Sequence, residues 1–558
     1  MDRAALFPGL MVETCAVRTR DGVSLATDVY RPAAGGPFPT LVTRTPYGRL
    51  NASAAVLAHP AWYARHGYAV VVQDVRGRGG SEGTFYPFRH EGADGYDAVE
   101  WAAAQPWSNG RVGLYGFSYA GVAALLAAAE QPPHLVAVAP AGAASDCYHT
   151  WFYRGGAFCL QNIQTWALQL ARDEARRYGR RDEEARIAAA LAAGPAAHGM
   201  LPVGAFPPLA GEAGAFYQDW TRHVTAGGYW EAFNLEASHE RLSRYPMLHA
   251  AGWFDPILDG TLRNYRGLRD LGRAPQYLLV GPWLHLPWSR YQAEQDFGPE
   301  ADSPLDQLLV RWWDRWLRGA PPDDGEPVRV FDVTARRWRS VTDWPPPGSR
   351  PLTLFLHSAG RARSMGGDGS LSQEPPREDE PPDLFLHDPR QPVPAPSPVL
   401  GDLRPAEARN DVLCYTTPPL PRPVVLAGPV ACELWTATTG LDADWVVKLA
   451  QVTPAGPVRC LSYGVLRARY RTSFQEPRLL TPGCPERVVI RLRDVAATIP
   501  ARHALRLEVA GSCFPLLDRN PSTGVEPSQA QVWDLTPAQQ AVLHDAARPS
   551  RVTLTVLP

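Results

Sequence analysis

The chain has 558 residues, of which 45% are hydrophobic and 20% are charged. This composition excludes a largely disordered protein, and the length exceeds what one hydrophobic core usually supports, so we expect two or three domains. The formal net charge of −2 excludes the basic surface with which proteins bind nucleic acid or anionic membranes, so neither is a predicted partner.

Several absences in the sequence narrow the class of protein further. The N-terminal segment has no apolar stretch long enough for an export signal, and no other segment approaches the length of a membrane span. The eight cysteines are scattered without a short repeated spacing, which favours a cytoplasmic protein with reduced thiols. Because the sequence holds no HExxH, paired CxxC or clustered histidine and carboxylate ligands, we predict neither a metal nor another cofactor.

The N-terminal part of the chain alternates short apolar strands with helical patterns. Residues 17–30 alternate around Asp21-Gly22, which is typical of a hairpin. Further apolar strands, separated by helical patterns such as residues 91–105, are predicted at residues 39–46, 68–74, 111–115, 135–140, 246–254 and 276–282. This rhythm predicts an α/β fold with a mostly parallel sheet that is covered by helices on both faces.

A serine lies at the junction of one of these strands with a helix. Residues 113–121 read GLYGFSYAG, and a helical pattern follows at residues 119–130. A sharp strand-to-helix turn needs small neighbours, which Gly116 and Ala120 supply, and the helix N-terminus directs amide donors at the serine. We therefore predict that Ser118 is a nucleophile; the alternative is a tight turn with an ordinary capping serine.

Between about residues 146 and 244 the strand rhythm stops, and residues 162–178 and 181–193 have helical patterns. An insertion of this size after the serine predicts a cap over an active site, which would exclude water and shape a pocket. Trp151 and Trp166 are candidate pocket residues. Packing inside the cap is the alternative for any single aromatic residue of this segment.

A serine nucleophile needs a histidine base and a carboxylate that orients it. Downstream, the apolar run at residues 245–254 ends at Asp255, and the run at residues 276–282 ends shortly before His285. Both therefore fall at the carboxyl ends of predicted strands, where catalytic groups gather in open α/β sheets. Trp253 and Ile257, which flank Asp255, are further candidate pocket residues.

Two other residues compete for these roles. Asp259 would lie one turn into the following helix, and His249 lies inside an apolar run, where a buried histidine with a hydrogen-bond partner is the simpler interpretation. Asp255 itself could merely cap a helix. The order serine, acid, histidine favours Asp255 and His285 over the alternatives.

The C-terminal part of the chain has a different pattern, with short strands in place of alternating strands and helices. Residues 303–318 form an amphipathic helical pattern that should close the first domain, and short strand patterns follow, at residues 328–333, 352–356, 424–426 and 487–492. Strands at this spacing with Pro and Gly turns predict a β-sandwich. We thus expect a first domain in two parts, at residues 1–145 and 245–322. The cap is expected at residues 146–244 and the C-terminal sandwich at residues 323–558.

Several segments together resemble a known family. They are TPYG at residues 45–48, QDVRGRGGSEG at 73–83, the segments GFSYAG, GWFD and GPWLH around the three candidate residues, and CFPLLDRNPSTG at 513–524. The chain is similar to the cocaine esterase and X-Pro dipeptidyl-peptidase family of serine hydrolases over nearly its whole length. The resemblance implies an α/β-hydrolase domain with an inserted helical cap and a C-terminal jelly-roll-like β-sandwich, acting on esters or amides.

The resemblance also assigns roles to individual residues. It implies Ser118 as nucleophile, Asp255 as acid and His285 as base. It further implies that the phenol of Tyr47, which follows a predicted strand, shares an oxyanion hole with the backbone amide of Tyr119. The alternative for Tyr47 is a packed aromatic ring with its hydroxyl at the surface.

Three functions are compatible with the sequence. The first is hydrolysis of carboxylic esters, and the second uses the same triad on amides or peptides, as an X-Pro dipeptidyl-peptidase or an acylase for amino-acid esters. The second would need carboxylates to hold a substrate ammonium group, for which the candidates are Asp146, Asp173, Glu174 and Asp219. The third is a non-catalytic carbohydrate- or ligand-binding protein. In the first two a small-molecule ester or amide is the partner, and exposed sandwich surface favours a homodimer.

Overall fold

The computed structural model describes residues 6–51, 56–322, 325–377, 379–395 and 400–558. The strands of its first half are β1 (Leu10–Arg18), β2 (Ser24–Pro32), β3 (Phe38–Thr45), β4 (Ala69–Asp74), β5 (Ser108–Phe117), β6 (Leu135–Ala141), β7 (Tyr153–Arg154), β8 (Ala157–Phe158), β9 (Met247–Gly252), β10 (Gln276–Gly281), β11 (Tyr291–Gln292), β12 (Gln295–Asp296), β13 (Val328–Asp332) and β14 (Arg337–Val341). The helices are α1 (Pro60–Arg65), α2 (Glu91–Ala103), α3 (Tyr119–Ala129), α4 (Leu160–Arg177), α5 (Arg181–Ala193), α6 (Ala215–Arg222), α7 (His239–Leu242), α8 (Leu258–Leu271), α9 (Leu305–Arg318) and α10 (Arg404–Glu407).

A ten-stranded sheet has the order β1-β2-β4-β3-β5-β6-β9-β10-β13-β14. Its central strands, from β4 to β13, pair in parallel, and antiparallel strands flank them on both sides. Both faces are buried, because neighbouring residues of β4 enter different cores: Val71 packs with α2 and α3, and Val70 packs with α1 and α9. The predicted α/β-hydrolase fold is confirmed.

The last two strands of this sheet depart from the sequence-based assignment. We placed residues 328–333 in the C-terminal sandwich, but β13 pairs in parallel with β10, with Leu278 opposite Val328, and β14 then pairs with β13. The cause is the crossover through α9, which returns the chain to the open edge of the first sheet. The first sheet therefore extends beyond residue 322, where we had expected the sandwich to begin.

The segment between β6 and β9 is mostly helical, as predicted. It contains α4 to α7 with several short 3-10 turns between them. Its aromatic residues form a buried cluster in which Trp166 stacks on Trp151 at 4.9 Å and on Trp220 at 5.3 Å. Within the described residues, none of the helices, here or elsewhere, combines the length and apolar character needed to cross a bilayer.

The C-terminal part forms a second, eleven-stranded sheet. Its strands are β15 (Arg350–His357), β16 (Ser370–Ser372), β17 (Asp383–His387), β18 (Val412–Thr416), β19 (Val424–Thr438), β20 (Asp444–Val452), β21 (Val458–Arg467), β22 (Glu486–Ile499), β23 (Ala504–Ala510), β24 (Ala538–Leu543) and β25 (Arg551–Leu557). Alternate residues of β19 and β25 point into a separate apolar core that includes Leu434, Trp445 and Leu554. This arrangement confirms the predicted jelly-roll-like β-sandwich.

A buried arginine connects the sandwich to the cap. Arg467, which is 2% exposed, donates to both carboxylate oxygens of Asp444 at 2.9 Å and to Asp518 at 2.8 and 3.2 Å. Asp518 also accepts a hydrogen bond of 2.8 Å from the backbone amide of Phe158 in β8. Burial raises the pKa of the Asp518 carboxyl, and the Arg467 charge opposes that rise.

We predict that Arg467→Met lowers stability strongly. Removing one partner of a buried ion pair costs about 3–5 kcal/mol, because the remaining charges stay buried without compensation. The control is Arg390→Met, since Arg390 pairs with Asp388 at the surface, where such a pair contributes about 0–1 kcal/mol. Thermal unfolding measures both variants, and equal melting temperatures for the two would contradict a structural role of the Arg467 network.

Candidate active site

Ser118 occupies a strained turn between β5 and α3. Its backbone has φ 59° and ψ −121°, a region that non-glycine residues rarely adopt. The turn brings chain segments so close that a Cβ on Gly116 would lie 2.4 Å from the carbonyl carbon of Ala120, and one on Gly121 would lie 2.9 Å from the carbonyl oxygen of Ala141. The small residues of the motif are therefore a steric requirement of the turn.

His285 joins the serine to the carboxylate. Its Nε2 lies 3.0 Å from Ser118 Oγ, and its Nδ1 lies 3.0 Å from Asp255 Oδ2. Asp255 is fully buried, and its Oδ1 accepts a 2.7 Å hydrogen bond from the backbone amide of Ile257. The three side chains predicted from the sequence thus form one continuous hydrogen-bonded chain, whose geometry suits proton transfer from the hydroxyl to the imidazole.

The first sheet explains why distant residues meet here. Ser118 follows β5, Asp255 follows β9 and His285 follows β10, and these strands run parallel within one sheet. The carboxyl ends of parallel strands share one edge, so their following loops converge. Tyr47 follows β3, the neighbour of β5, and therefore lies at the same edge.

Two donors lie near the serine. The hydroxyl of Tyr47 accepts a 3.1 Å hydrogen bond from Nε1 of Trp166. The residue is 38% exposed as a whole, but desolvation around the phenol raises the pKa of Tyr47 to about 12, above the ordinary value of about 10 at which the O–H is already protonated at neutral pH. Tyr119 is the first residue of α3, and its backbone N–H has no acceptor within the helix. The Tyr119 hydroxyl is used elsewhere, because it donates to Glu91 at 2.8 Å.

The two competing residues lie apart from this hydrogen-bonded chain. His249 is buried in β9, where its Nε2 lies 3.0 Å from Gln276 Oε1, and burial lowers the pKa of its imidazole to about 4. Asp259 is paired with Arg154. Both residues thus have structural partners. For His249 this agrees with its interpretation as a buried histidine with a hydrogen-bond partner.

A cavity of about 700 Å³ contains Ser118 and His285. Of the candidate pocket residues, Trp151, Trp166 and Ile257 line it and Trp253 does not; Tyr47, the candidate oxyanion donor, also lines it. The Trp253 indole donates to the carbonyl oxygen of Phe331 in β13 at 2.8 Å and packs on Trp344. Its side chain therefore packs against β13 and Trp344. Sequence reasoning missed many other lining residues, among them Phe117, Gln161, Asn162, Thr165, Leu286, Tyr463, Arg493 and Leu516.

None of the described residues that line the cavity is an aspartate or a glutamate. Of the candidate carboxylates for an ammonium site, Glu174 lies 3.4 Å from Arg78, and Asp219 accepts a 2.8 Å hydrogen bond from the Tyr86 hydroxyl. Asp173 is exposed, and Asp146 bonds to the turn that follows it. None of these four carboxylates is among the described residues that line the cavity.

Comparisons with known proteins agree with this architecture. The family model for X-Pro dipeptidyl-peptidase (S15 family) matches residues 21–287, and the model for the X-Pro dipeptidyl-peptidase C-terminal non-catalytic domain matches residues 321–553. Cocaine esterase from Rhodococcus sp. (strain MB1 Bresler) is 33% identical over 567 residues, with 97% of each chain covered.

Two solved structures are similar over almost the full length. An aminopeptidase from the marine sediment archaeon Thaumarchaeota archaeon has a TM-score of 0.84 and 26% identity, covering 99% of this chain and 97% of that chain. An α-amino acid ester hydrolase has a TM-score of 0.82 and 25% identity, covering 98% and 97%. Fold, site and comparisons define a hydrolase of the α/β-hydrolase class. Within that class, the chain belongs to the serine hydrolase family that includes cocaine esterase and the S15 X-Pro dipeptidyl-peptidases.

We predict that Gly116→Ala displaces the serine turn. The added methyl group has no room beside Ala120, and a shift of about 1 Å at a catalytic group costs about a hundredfold in rate. Gly199→Ala is the control, because a Cβ at Gly199 meets no atom within 4 Å. The rate of labelling by a fluorophosphonate, measured on folded protein, reports the change. Equal labelling rates for both variants would contradict the steric argument.

Proposed function

We propose that this protein hydrolyses carboxylic esters through an acyl-enzyme, with Ser118 as nucleophile, His285 as general base and Asp255 as the acid that orients it. The observation that carries the proposal is the hydrogen-bonded chain from Asp255 through His285 to Ser118, with the serine and the histidine on the wall of an apolar cavity. Membership of a family of serine hydrolases supports the same assignment.

Acylation begins at the serine hydroxyl. As Ser118 Oγ attacks the ester carbonyl, its proton passes to Nε2 of His285. Asp255 accepts the hydrogen bond from Nδ1–H, which fixes the tautomer with a free Nε2 and stabilises the imidazolium. The imidazolium then protonates the leaving alcohol. In deacylation His285 takes a proton from water as the water attacks the acyl-enzyme, and it returns that proton to Ser118 as the carboxylic acid leaves.

The charge that develops on the carbonyl oxygen needs donors that are already in place. The N–H of Tyr119 is free of helical bonding, and the O–H of Tyr47 is the second donor. Trp166 assists because its indole donates to the phenol oxygen, which leaves the Tyr47 hydrogen for the substrate. The pKa of about 12 at Tyr47 keeps that hydrogen in place across the physiological range.

The composition of the cavity favours esters without a free amino group. An aminopeptidase binds a substrate that carries an ammonium group, and a buried ammonium without a carboxylate partner is strongly unfavourable. The described lining residues include no carboxylate. We therefore rank X-Pro dipeptidyl-peptidase and amino-acid-ester acylase activity second. A non-catalytic binding protein is not retained, since the chain belongs to a family of hydrolases. The homodimer and the cytoplasmic location stay predictions from the sequence.

We predict that Ser118→Ala loses about 10⁶-fold in turnover of 4-nitrophenyl butyrate, as expected when a nucleophilic serine is removed. Ser340→Ala, at an exposed position on β14, should keep the wild-type rate. The wild type should leave the 4-nitroanilide of Gly-Pro uncleaved. Ester turnover by Ser118→Ala would show that another residue is the nucleophile, and efficient anilide cleavage would favour the peptidase.

We predict that Tyr47→Phe lowers the acylation rate by about 10²–10³-fold, because one oxyanion donor is lost while the ring stays. The control is Tyr291→Phe, since Tyr291 is 58% exposed. Stopped-flow release of 4-nitrophenol measures acylation directly. An unchanged burst rate in Tyr47→Phe would remove the phenol from the mechanism without affecting the assignment of Ser118.

A further inference from the structure

One side chain of the sandwich contributes a positive charge to the catalytic cavity. Arg493, on β22, lines the same cavity as Ser118 although it is only 3% exposed. Apart from the titratable His285, it is the one formally charged side chain among the described lining residues. A substrate that fills the cavity would therefore lie against this guanidinium, while the other described lining side chains, apart from His285, carry no formal charge.

The guanidinium of Arg493 is incompletely satisfied. Its Nη2 donates to the carbonyl oxygen of Pro256 at 3.0 Å. Its Nε is enclosed without a hydrogen-bond partner, and its Nη1, which is not enclosed, donates to no group in the part of the chain that the structure describes. A buried guanidinium with unused donors is unfavourable unless another group completes its hydrogen bonds.

None of the described carboxylates forms an ion pair with Arg493. Burial opposes ionisation of Asp259, but the charges of Arg154 and Arg493 together lower the pKa of its carboxyl, and Asp259 forms its ion pair with Arg154. Asp494, the next residue along β22, is paired with Arg266. The face of the Tyr463 ring lies 4.7 Å from Arg493 and offers a cation–π contact, but this contact uses no N–H donor.

We propose that Arg493 is an anion subsite, and that the substrates this enzyme prefers are esters carrying a carboxylate away from the scissile bond. The open Nη1 donor of the guanidinium suits a carboxylate oxygen, and a charge-assisted hydrogen bond at a largely buried arginine is stronger than one at the surface. Arg493 is thus a specificity-determining residue that binds substrate and takes no part in proton transfer. This inference rests on the proposed ester hydrolysis.

Two pairs of probes test the proposal and locate the carboxylate. In the first pair the charge is on the leaving group: 4-carboxyphenyl butyrate against its neutral isostere 4-carbamoylphenyl butyrate. In the second it is on the acyl chain: mono-4-nitrophenyl suberate against 4-nitrophenyl suberamate. We expect kcat/KM of the wild type to favour the charged member of at least one pair by about 10- to 100-fold, the range for a hydrogen bond to a charged group.

Variants then assign the preference to Arg493. Arg493→Met should reduce the ratio of kcat/KM for the charged over the neutral probe by about 10- to 100-fold, while Arg493→Lys keeps part of it. Arg390→Met, which removes an exposed positive charge, should leave the ratio unchanged. Because each ratio is taken within one variant, a general loss of active protein cancels.

The outcomes separate the two proposals. Equal kcat/KM for charged and neutral probes in the wild type overturns the anion subsite, whatever the variants do. An equal loss of kcat/KM for the charged and the neutral probe in Arg493→Met overturns it as well. That result would mean that Arg493 acts by holding the loop at Pro256 and not by binding the substrate carboxylate. Failure of ester hydrolysis itself would be recognised differently, by the absence of Ser118-dependent turnover of either neutral probe.

Discussion

The two hydrogen bonds of His285 are the constraint on which the site depends. The imidazole must present a free Nε2 to Ser118 while its Nδ1–H is held by Asp255, and both contacts are 3.0 Å long. An imidazole with one of these contacts only could adopt the other tautomer or turn away. Asp255 is in turn held by the backbone amide of Ile257, so the orientation of the imidazole is set by the loop that follows β9.

The cap is connected to the loop after β3 through the indole of Trp166. Trp166 of α4 stacks between Trp151 and Trp220, and its Nε1 donates to the Tyr47 hydroxyl. An aromatic cluster inside the cap therefore holds the hydroxyl of a residue that belongs to the loop after β3. The position of the Tyr47 phenol thus depends on the packing of the cap.

The parts of the site that could be predicted from the sequence are those that local backbone chemistry determines. The turn at Ser118 leaves a signature of small residues, and Asp255 and His285 follow apolar strands whose order the fold class dictates. The local sequence contains no comparable pattern that predicts which way a side chain points. Trp253 precedes Asp255, yet its indole turns toward Phe331, because a buried N–H needs an acceptor and that carbonyl supplies one.

Residues that reach the site from the sandwich could not be predicted for a different reason. Tyr463, Arg493 and Leu516 lie on separate elements of the second sheet or its loops, and only the docking of that sheet brings them to the cavity. Leu516 lies in the segment CFPLLDRNPSTG, which indicates the family, but nothing in the local sequence shows that any of the three side chains reaches a cavity of the first domain. The assignment of residues 328–333 to the wrong sheet has the same origin, since pairing with β10 is a long-range contact.

The contacts of the sandwich imply that it is part of the active site and not an appended module. Arg493 bonds to the carbonyl of Pro256, the residue next to the catalytic acid candidate Asp255, and Asp518 bonds to Phe158 of the cap. The second sheet is thus attached on two sides of one cavity, to the loop that carries the acid and to the segment that covers the serine. Displacing it would break the hydrogen bond between Asp518 and the backbone amide of Phe158 and would withdraw the sandwich residues that line the cavity. The two sheets must therefore dock before the cavity has its final shape, because residues of both line it.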